Sequence, residues 1–214
     1  MRVRAKICGL RRADDARHAV DAGADFLGVV LDQGPRQASD TDIRGVVSAA
    51  AGVPVLAVVV HSSLADVLRR RDRAGFAGVQ LHGGQDDEEA AAFEREGLMV
   101  WRTARLAAES DTPDPSALTR HANAVLVEPW VEHAAGGGGR VLDVARAVRV
   151  RQRLGTHAMV LAGGLTATTV GPIASAVRPY AVDVSSGVER APGIKDPALV
   201  ARFLEALRGV DSDG

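Results

Sequence analysis

The chain has little cysteine, few aromatic residues and no excess of charge of one sign. One cysteine occurs among its 214 residues, and aromatic residues make up 3%. A single cysteine excludes an intramolecular disulfide and fits a reducing compartment. The formal net charge is -1 and no basic cluster stands out. We therefore expect no nucleic-acid partner.

Long apolar runs and metal-binding clusters are absent as well. No uninterrupted apolar stretch reaches membrane-spanning length, and the chain enters Arg2–Lys6 without an apolar signal region. We therefore expect a cytoplasmic protein with no membrane partner. No two of the six histidines have a credible metal-ligand spacing, and no second cysteine joins them, so we expect no metal site.

What the chain does contain is a regular alternation of apolar, strand-like runs with amphipathic stretches. The predicted strands are 3–7, 26–31, 53–60, 78–81, 99–103, 124–127, 159–162 and 181–184. The predicted helices are 12–22, 41–51, 63–74, 85–96, 142–153, 168–177 and 197–207, with a short one possible within 115–122.

Eight such units in one compact chain favour an α/β fold, a single-domain (β/α)8 TIM barrel over residues 1–214. An open, doubly wound sheet remains an alternative, because counting units does not prove closure. We expect residues 209–214 to form a disordered tail.

Two glycine-marked strand ends near the C-terminus are the most informative feature. One contains Gly163 and Gly164, and the other contains Ser185, Ser186 and Gly187. Small residues let backbone N–H groups approach an anion closely. The loops after strands 7 and 8 of such barrels commonly bind phosphate. Either loop alone is an ordinary turn, but together they predict a phosphorylated small molecule as ligand.

Other polar residues follow the remaining predicted strands. Cys8 ends the first, Arg36 follows the second, His82 ends the fourth, Arg102 the fifth and Glu128 the sixth. In these barrels the chemistry lies at the carboxyl ends of the strands. A thiol, a carboxylate and an arginine on one rim suit proton transfer on a substrate with two anionic ends.

Each of these residues also has an ordinary interpretation. A lone cysteine is usually a small buried hydrophobic residue, and a lone histidine is usually a hydrogen-bonded packing residue. Arg36 has the planar fork that suits a carboxylate, yet it is equally typical of a surface. Glu128 either points into the barrel mouth or ends its strand in solvent.

Several segments of the chain form a distinctive set: Lys6-Ile-Cys-Gly-Leu10, Gly34-Pro-Arg36, Val79-Gln-Leu-His-Gly83, the glycine run 136–139, Leu161-Ala-Gly-Gly-Leu165, Asp183-Val-Ser-Ser-Gly-Val-Glu189 and Pro192-Gly-Ile-Lys-Asp196. Together these segments resemble the phosphoribosylanthranilate isomerase family of tryptophan biosynthesis. They follow the family's order from the first strand to the last.

The resemblance implies an Amadori rearrangement of N-(5-phosphoribosyl)anthranilate with no cofactor. It implies Cys8 as general base, Glu128 as general acid and Arg36 as the group that holds the anthranilate carboxylate. It assigns the phosphate to Gly163-Gly164 and Ser185-Ser186-Gly187. The wider substrate pocket would include Lys6, His82, Gly137, Gly138 and Asp183. We expect a monomer or weak homodimer.

The proposed base must work as a thiolate, so its surroundings should lower the thiol pKa. Residues i and i+2 of a strand share a face, which predicts that Lys6 lies near Cys8. The glycine run 136–139 should be flexible without substrate and close over it as a lid.

The sequence departs from the family on the substrate side. The family's acid is an aspartate where this chain has Glu128, and its Gly-Gly-Thr-Gly loop has Gly138 in place of threonine. Gly34 replaces a serine, and His61 replaces an asparagine. Three interpretations remain open: an ordinary family member, a relative acting on another phosphoribosylated amine, or a non-catalytic member that binds a sugar phosphate or a partner protein.

Overall fold

The strands close into a parallel barrel. A computed structural model describes residues 2–106, 114–130 and 143–212, and in it eight strands pair in chain order until β8 meets β1. The closing pairs run from Arg4 opposite Ala181 to Ile7 opposite Val184. The predicted TIM barrel is therefore confirmed, and the open-sheet alternative is wrong.

The barrel strands are β1 Arg4–Ile7, β2 Phe26–Val30, β3 Val55–Val59, β4 Gly78–Leu81, β5 Met99–Leu106, β6 Ala124–Pro129, β7 Met159–Leu161 and β8 Ala181–Val184. A small antiparallel hairpin follows, formed by β9 Glu189–Ala191 and β10 Ile194–Lys195. The helices are α1 Ala13–Asp21, α2 Asp40–Ala49, α3 Leu64–Ala74, α4 Asp87–Arg95, α5 Val144–Leu154, α6 Val170–Val177 and α7 Pro197–Glu205.

Local sequence signals set several of these boundaries. Ser39 and Asp42 form a reciprocal capping box at the start of α2, and Asp86 and Glu89 do the same for α4. Gly75 ends α3 with a φ of 80°, a conformation that glycine adopts without a steric penalty. The two N-caps fix where the loops after β2 and β4 end, and therefore where those parts of the barrel rim lie.

Most element bounds differ from the sequence prediction by no more than two residues. The segment that was a candidate for a short helix forms only a turn of 3-10 helix, Pro115–Leu118. Strand β5 runs three residues beyond its predicted end at Thr103. The first residues of the predicted tail from 209 pair with the N-terminal segment. Val3 N–H donates to the Val210 carbonyl, and the backbones of Arg2 and Asp211 form an isolated antiparallel β-bridge.

Apolar residues pack in two places, inside the barrel and between the barrel and its helices. The inner cluster consists of Phe26, Leu56, Trp101, Ala124, Leu126, Val160, Ala162 and Ala181. Trp101 is 1% exposed, and its ring meets that of Phe26 edge-on at 4.9 Å. This layer fills the lower barrel, so the polar residues above it lie on a closed floor.

Among the described residues, no helix has the length and apolar character needed to cross a lipid bilayer.

The two tryptophans give a matched test of this packing. Trp101→Ala removes the largest side chain of the inner layer and should lower the free energy of unfolding by about 3–5 kcal/mol. Trp130 is 48% exposed and stacks against Arg105, so Trp130→Ala should cost less than about 1 kcal/mol. Urea unfolding followed by circular dichroism measures both, and equal losses would contradict the assignment of Trp101 to the core.

Candidate active site

Glu128 lies at the end of β6 with its carboxyl in the barrel mouth. The residue is 5% exposed. Arg105 Nε donates to its Oε1 at 3.2 Å, and His82 Nε2 lies 3.3 Å from the same oxygen. Burial raises the pKa of Glu128 to about 7, although Arg105 acts in the opposite direction. The carboxyl therefore holds a proton over part of the neutral range, as a general acid requires.

Arg105, at the end of β5, ties this corner together. Its Nη2 donates to the His82 carbonyl at 2.8 Å, and its guanidinium lies 5.6 Å from the centre of the Trp130 ring. The backbone N–H of Trp130 extends the β5–β6 pairing by donating to the Leu106 carbonyl. One arginine thus holds the acid, the loop after β4 and the aromatic residue that follows β6.

A buried row of polar side chains runs from the acid across the barrel interior. Gln80, on β4, lies with its Nε2 3.4 Å from His82 Nδ1 and accepts from Lys6 Nζ at 2.6 Å. Lys6, on β1, also donates to Asp183 of β8 at 3.0 Å. Lys6 is fully buried, and this pairing is what makes a buried ammonium tolerable.

Cys8 lies directly above Lys6 at the end of β1 and is 7% exposed. Both side chains pack against Gly28 of β2. A Cβ on that glycine would lie 2.7 Å from Cys8 Sγ and 2.9 Å from Lys6 Cε. Only a residue without a side chain leaves room for the thiol and the ammonium together. The predicted proximity of Lys6 and Cys8 is therefore correct.

The expected direction of the thiol pKa is wrong. Burial raises the pKa of Cys8 above its ordinary value, and this effect outweighs the opposing attraction of the Lys6 ammonium. Asp183 adds to the rise. Lys6 acts in the predicted sense, but desolvation of a thiolate in this nearly closed site is the larger effect.

Arg36 follows β2 and forms a bidentate pair with Glu189. Its Nε and Nη2 donate to the two carboxylate oxygens at 2.9 and 2.7 Å. Lys195 Nζ donates to Glu189 at 2.8 Å and to the Ser185 carbonyl at 3.1 Å. Nη1 of Arg36 has no hydrogen-bond partner in the part of the chain that the structure describes, so it is available to an anion.

The two predicted phosphate loops lie side by side at the carboxyl ends of β7 and β8. Gly163 and Gly164 have φ angles of 97° and 62°, which glycine adopts readily. A Cβ on Gly187 would lie 1.9 Å from the Leu165 carbonyl oxygen, so the loops meet backbone to backbone. Over residues 2–106, 114–130 and 143–212, no acceptor pairs with the N–H groups of Gly163, Gly164, Ser185 or Ser186. Four such donors suit a phosphate.

The comparisons with known proteins agree with this geometry. The family model described as N-(5'-phosphoribosyl)anthranilate (PRA) isomerase matches residues 5–206. The curated N-(5'-phosphoribosyl)anthranilate isomerase of Bordetella petrii is 38% identical over 99% of this chain and 97% of its own length.

Two solved structures extend the match to three dimensions. The crystal structure of phosphoribosyl anthranilate isomerase from Thermotoga maritima has a TM-score of 0.86 at 30% identity, covering 97% of this chain and 99% of that one. Another, in complex with reduced 1-(o-carboxyphenylamino)-1-deoxyribulose 5-phosphate, has a TM-score of 0.83 at 28% identity over the same shares.

The chain belongs to the phosphoribosylanthranilate isomerase family. It is accordingly an isomerase, and the resemblance read from its motifs is confirmed.

The structure also shows how this chain accommodates Glu128, where the resemblance implies an aspartate. The extra methylene moves the carboxyl outward from β6. Here Arg105 and His82, from the neighbouring strand and the one beyond it, both bind Oε1. These contacts hold the longer side chain against the barrel wall, so it does not extend freely into the mouth.

The structure brings together most of the residues predicted for the site. Cys8, Lys6 and Asp183 form one group, His82 and Glu128 a second, and the phosphate loops a third with Arg36 beside it. Gly137 and Gly138, with the whole predicted lid 136–139, lie outside the described residues. No cluster of three or more metal-binding side chains occurs among the described residues.

Arg102 is not a rim residue. It faces outward from β5, is 3% exposed and donates to Asp87 and to the carbonyls of Gln85 and Arg120. His61, which replaces the family's asparagine, is exposed. Sequence reasoning missed Arg105, although continued alternation along β5 beyond Thr103 was the signal that would have found it.

Lys6→Met tests whether the ammonium tunes the thiol. Loss of the positive charge should raise the pKa of Cys8 further, because Lys6 is the strongest group acting to lower it. The chain's single cysteine makes the ultraviolet absorbance of the thiolate assignable during a pH titration. Lys195→Met is the control, and it should raise the thiol pKa less, since Lys195 acts more weakly. An unchanged titration in Lys6→Met would refute the tuning role.

Proposed function

We propose that this chain converts N-(5'-phosphoribosyl)anthranilate to 1-(o-carboxyphenylamino)-1-deoxyribulose 5-phosphate, with Glu128 as general acid and Cys8 as general base. The observation that carries the proposal is the pair of groups across one barrel mouth. A carboxyl whose pKa is raised to about 7 by burial faces the mouth from β6, and a thiol faces it from β1.

The reaction needs two proton transfers on opposite sides of the sugar. Glu128 donates a proton to the furanose ring oxygen, the bond from that oxygen to C1 breaks, and an iminium ion forms. The Cys8 thiolate then removes the proton from C2 to give an enolamine. The enolamine ketonises as its C2 hydroxyl loses a proton and C1 gains one. Solvent returns the proton from the thiol to the carboxylate.

Binding groups at both ends of the substrate would hold the sugar between acid and base. The four free N–H groups of the loops after β7 and β8 suit the 5-phosphate. Arg36, held in place by Glu189, presents Nη1 to the anthranilate carboxylate. Holding both ends in place converts the proton transfers into steps between fixed partners, which is a large part of catalysis.

The test is a coupled fluorescence assay in which phosphoribosylanthranilate is generated in situ and its decay is followed. Cys8→Ala and Glu128→Ala should each lower kcat by about 10²–10⁴-fold, the usual contribution of a general acid or base. Glu88→Ala, an exposed glutamate of α4, is the control and should retain the wild-type rate.

Two results would redirect the assignment. Wild type without turnover, whose fold is still stabilised by phosphate-containing ligands, would point to another phosphoribosylated amine or to a non-catalytic role. Full activity in Glu128→Ala would show that another group supplies the proton.

The pH dependence of kcat/KM follows from the two pKa shifts. The active form carries a proton on Glu128 and none on Cys8. The pKa of Glu128 is about 7 and that of the thiol is raised, so the carboxyl loses its proton first as pH rises. When Glu128 and Cys8 together hold one proton, most molecules carry it on sulfur. A small fraction of the molecules, which does not change with pH, carries it on the carboxyl instead. The value of kcat/KM should therefore rise up to about pH 7, level off, and fall only above the thiol pKa.

Glu128→Gln is the matched variant for this profile. It removes the titration near pH 7, so its residual rate should keep rising until the thiol deprotonates. If the wild-type kcat/KM instead falls with rising pH below about pH 7, the rise at low pH cannot be assigned to Glu128.

The proposal also covers partners and location. The substrate is a small phosphoribosyl molecule, and no cofactor is needed for the steps above. We include a cytoplasmic location, which a single unpaired cysteine favours, and a monomeric or weakly dimeric state. Sedimentation over a range of protein concentrations measures the latter.

A further inference from the structure

A continuous row of buried polar side chains joins the base side of the mouth to the acid side. It runs from Lys6 through Gln80 and His82 to Glu128, over distances of 2.6, 3.4 and 3.3 Å. Each of the four residues is less than 9% exposed. The proposed reaction as written uses only the last of them.

The donors and acceptors in this row permit only one arrangement of the hydrogens on Gln80 and His82. An ammonium group only donates, so the Gln80 atom beside Lys6 is the amide oxygen, and the amide nitrogen faces His82. An amide NH2 group also only donates, so His82 Nδ1 must be the acceptor. The neutral imidazole then carries its hydrogen on Nε2, which lies 3.3 Å from Glu128 Oε1.

The consequence concerns which oxygen of Glu128 holds the proton. Oε1 accepts a hydrogen bond from Arg105 Nε, and the N–H of His82 Nε2 lies beside it at an N···O distance of 3.3 Å. A hydrogen on that oxygen would oppose both of them. Within residues 2–106, 114–130 and 143–212, no side chain hydrogen-bonds to Oε2. The transferable proton therefore resides on Oε2.

We propose that Gln80 is a positioning residue that fixes His82 as the Nε2–H tautomer and thereby keeps the Glu128 proton on Oε2, available to the substrate. This inference rests on the proposed role of Glu128 as general acid. With the opposite tautomer, the Nε2 lone pair would accept the Glu128 O–H. The proton would then be shared within the histidine–glutamate pair and withheld from the sugar.

The charges that surround His82 keep the ring neutral. Burial lowers the pKa of His82 to about 3, and Arg105 from β5 and Lys6 from β1 act in the same direction. Asp183 from β8 is paired with Lys6, and Glu128 from β6 faces Nε2. A neutral ring has one hydrogen to place, so the Gln80 amide decides its position.

The experiment is a long-range ¹H–¹⁵N correlation spectrum of the ¹⁵N-labelled full chain, with His82 assigned from the signals lost in His82→Phe. Between about pH 6 and 8 we expect an unprotonated Nδ1 and a protonated Nε2. The reverse tautomer, or a charged ring in this range, would overturn the inference. The tautomer is read from the wild-type chain, and His82→Phe serves only to assign the signals.

Gln80→Glu is the variant that moves the hydrogen. It preserves the shape of the side chain, but a carboxylate only accepts, so it should draw the hydrogen onto His82 Nδ1. The expected result is this changed tautomer, with kcat lowered on the order of tenfold or more and KM within about threefold. Gln85→Glu adds the same charge nearby without contacting the imidazole, and should leave the His82 tautomer unchanged.

The outcomes separate this inference from the proposed function. A lower kcat in Gln80→Glu with the His82 tautomer unchanged would show a merely structural role and overturn the inference. Wild type that is inactive on phosphoribosylanthranilate would instead overturn the proposed function, whatever the tautomer. Active wild type with the Nδ1–H tautomer would overturn this inference alone.

Discussion

The parallel pairing of β1 with β8 is the constraint on which the site depends. It places the first strand of the chain beside the last, with Lys6 opposite Asp183 and Ile7 opposite Val184. Cys8 N–H extends the same ladder by donating to the Val184 carbonyl. Residues about 175 positions apart in sequence thereby become neighbours across one hydrogen-bonded pair of strands. Without closure, the buried Lys6 ammonium would lose its carboxylate, and the thiol would lie far from the loop after β8.

Closure also creates the electrostatic character of the site. The inner layer of apolar side chains, which contains Trp101, excludes water from below. The Lys6 ammonium lies 5.7 Å from the centre of the Trp101 ring. Titratable groups above this layer are therefore desolvated, which raises the pKa of both the thiol and the Glu128 carboxyl. The effect helps the proposed acid and opposes the proposed base. Under the proposed mechanism the reaction starts from a minority protonation state, because both groups lie in one water-poor cavity. Electrostatic interactions with the reacting groups are strong in such a cavity.

Periodicity predicted the barrel, and motifs at strand ends predicted that Cys8, Glu128 and the glycine loops after β7 and β8 lie at one rim of it. Sequence patterns failed where the outcome depends on strand register or on the balance of opposing energies. A β5 strand that ended at Thr103 would have Arg102 as its last charged residue, whereas three more residues bring Arg105 to the mouth. The direction of the thiol pKa was misjudged because the Lys6 charge is visible in the sequence, while the degree of burial is not. Gly28 gave no signal either, since its role is to leave space for two other residues.

Glu128, the proposed acid, shows how such a barrel can position a longer side chain at its mouth. A longer side chain has more rotamers, and a misplacement of about 1 Å can cost on the order of a hundredfold in rate. The cost is avoided only where neighbours restrict the added freedom. Arg105 and His82 supply that restriction through one carboxylate oxygen and leave the other in the mouth. His82 is in turn oriented by Gln80, and Gln80 by the ion pair of Lys6 with Asp183. The placement of the proposed acid on β6 therefore depends on the β1–β8 pair that closes the barrel on its opposite side.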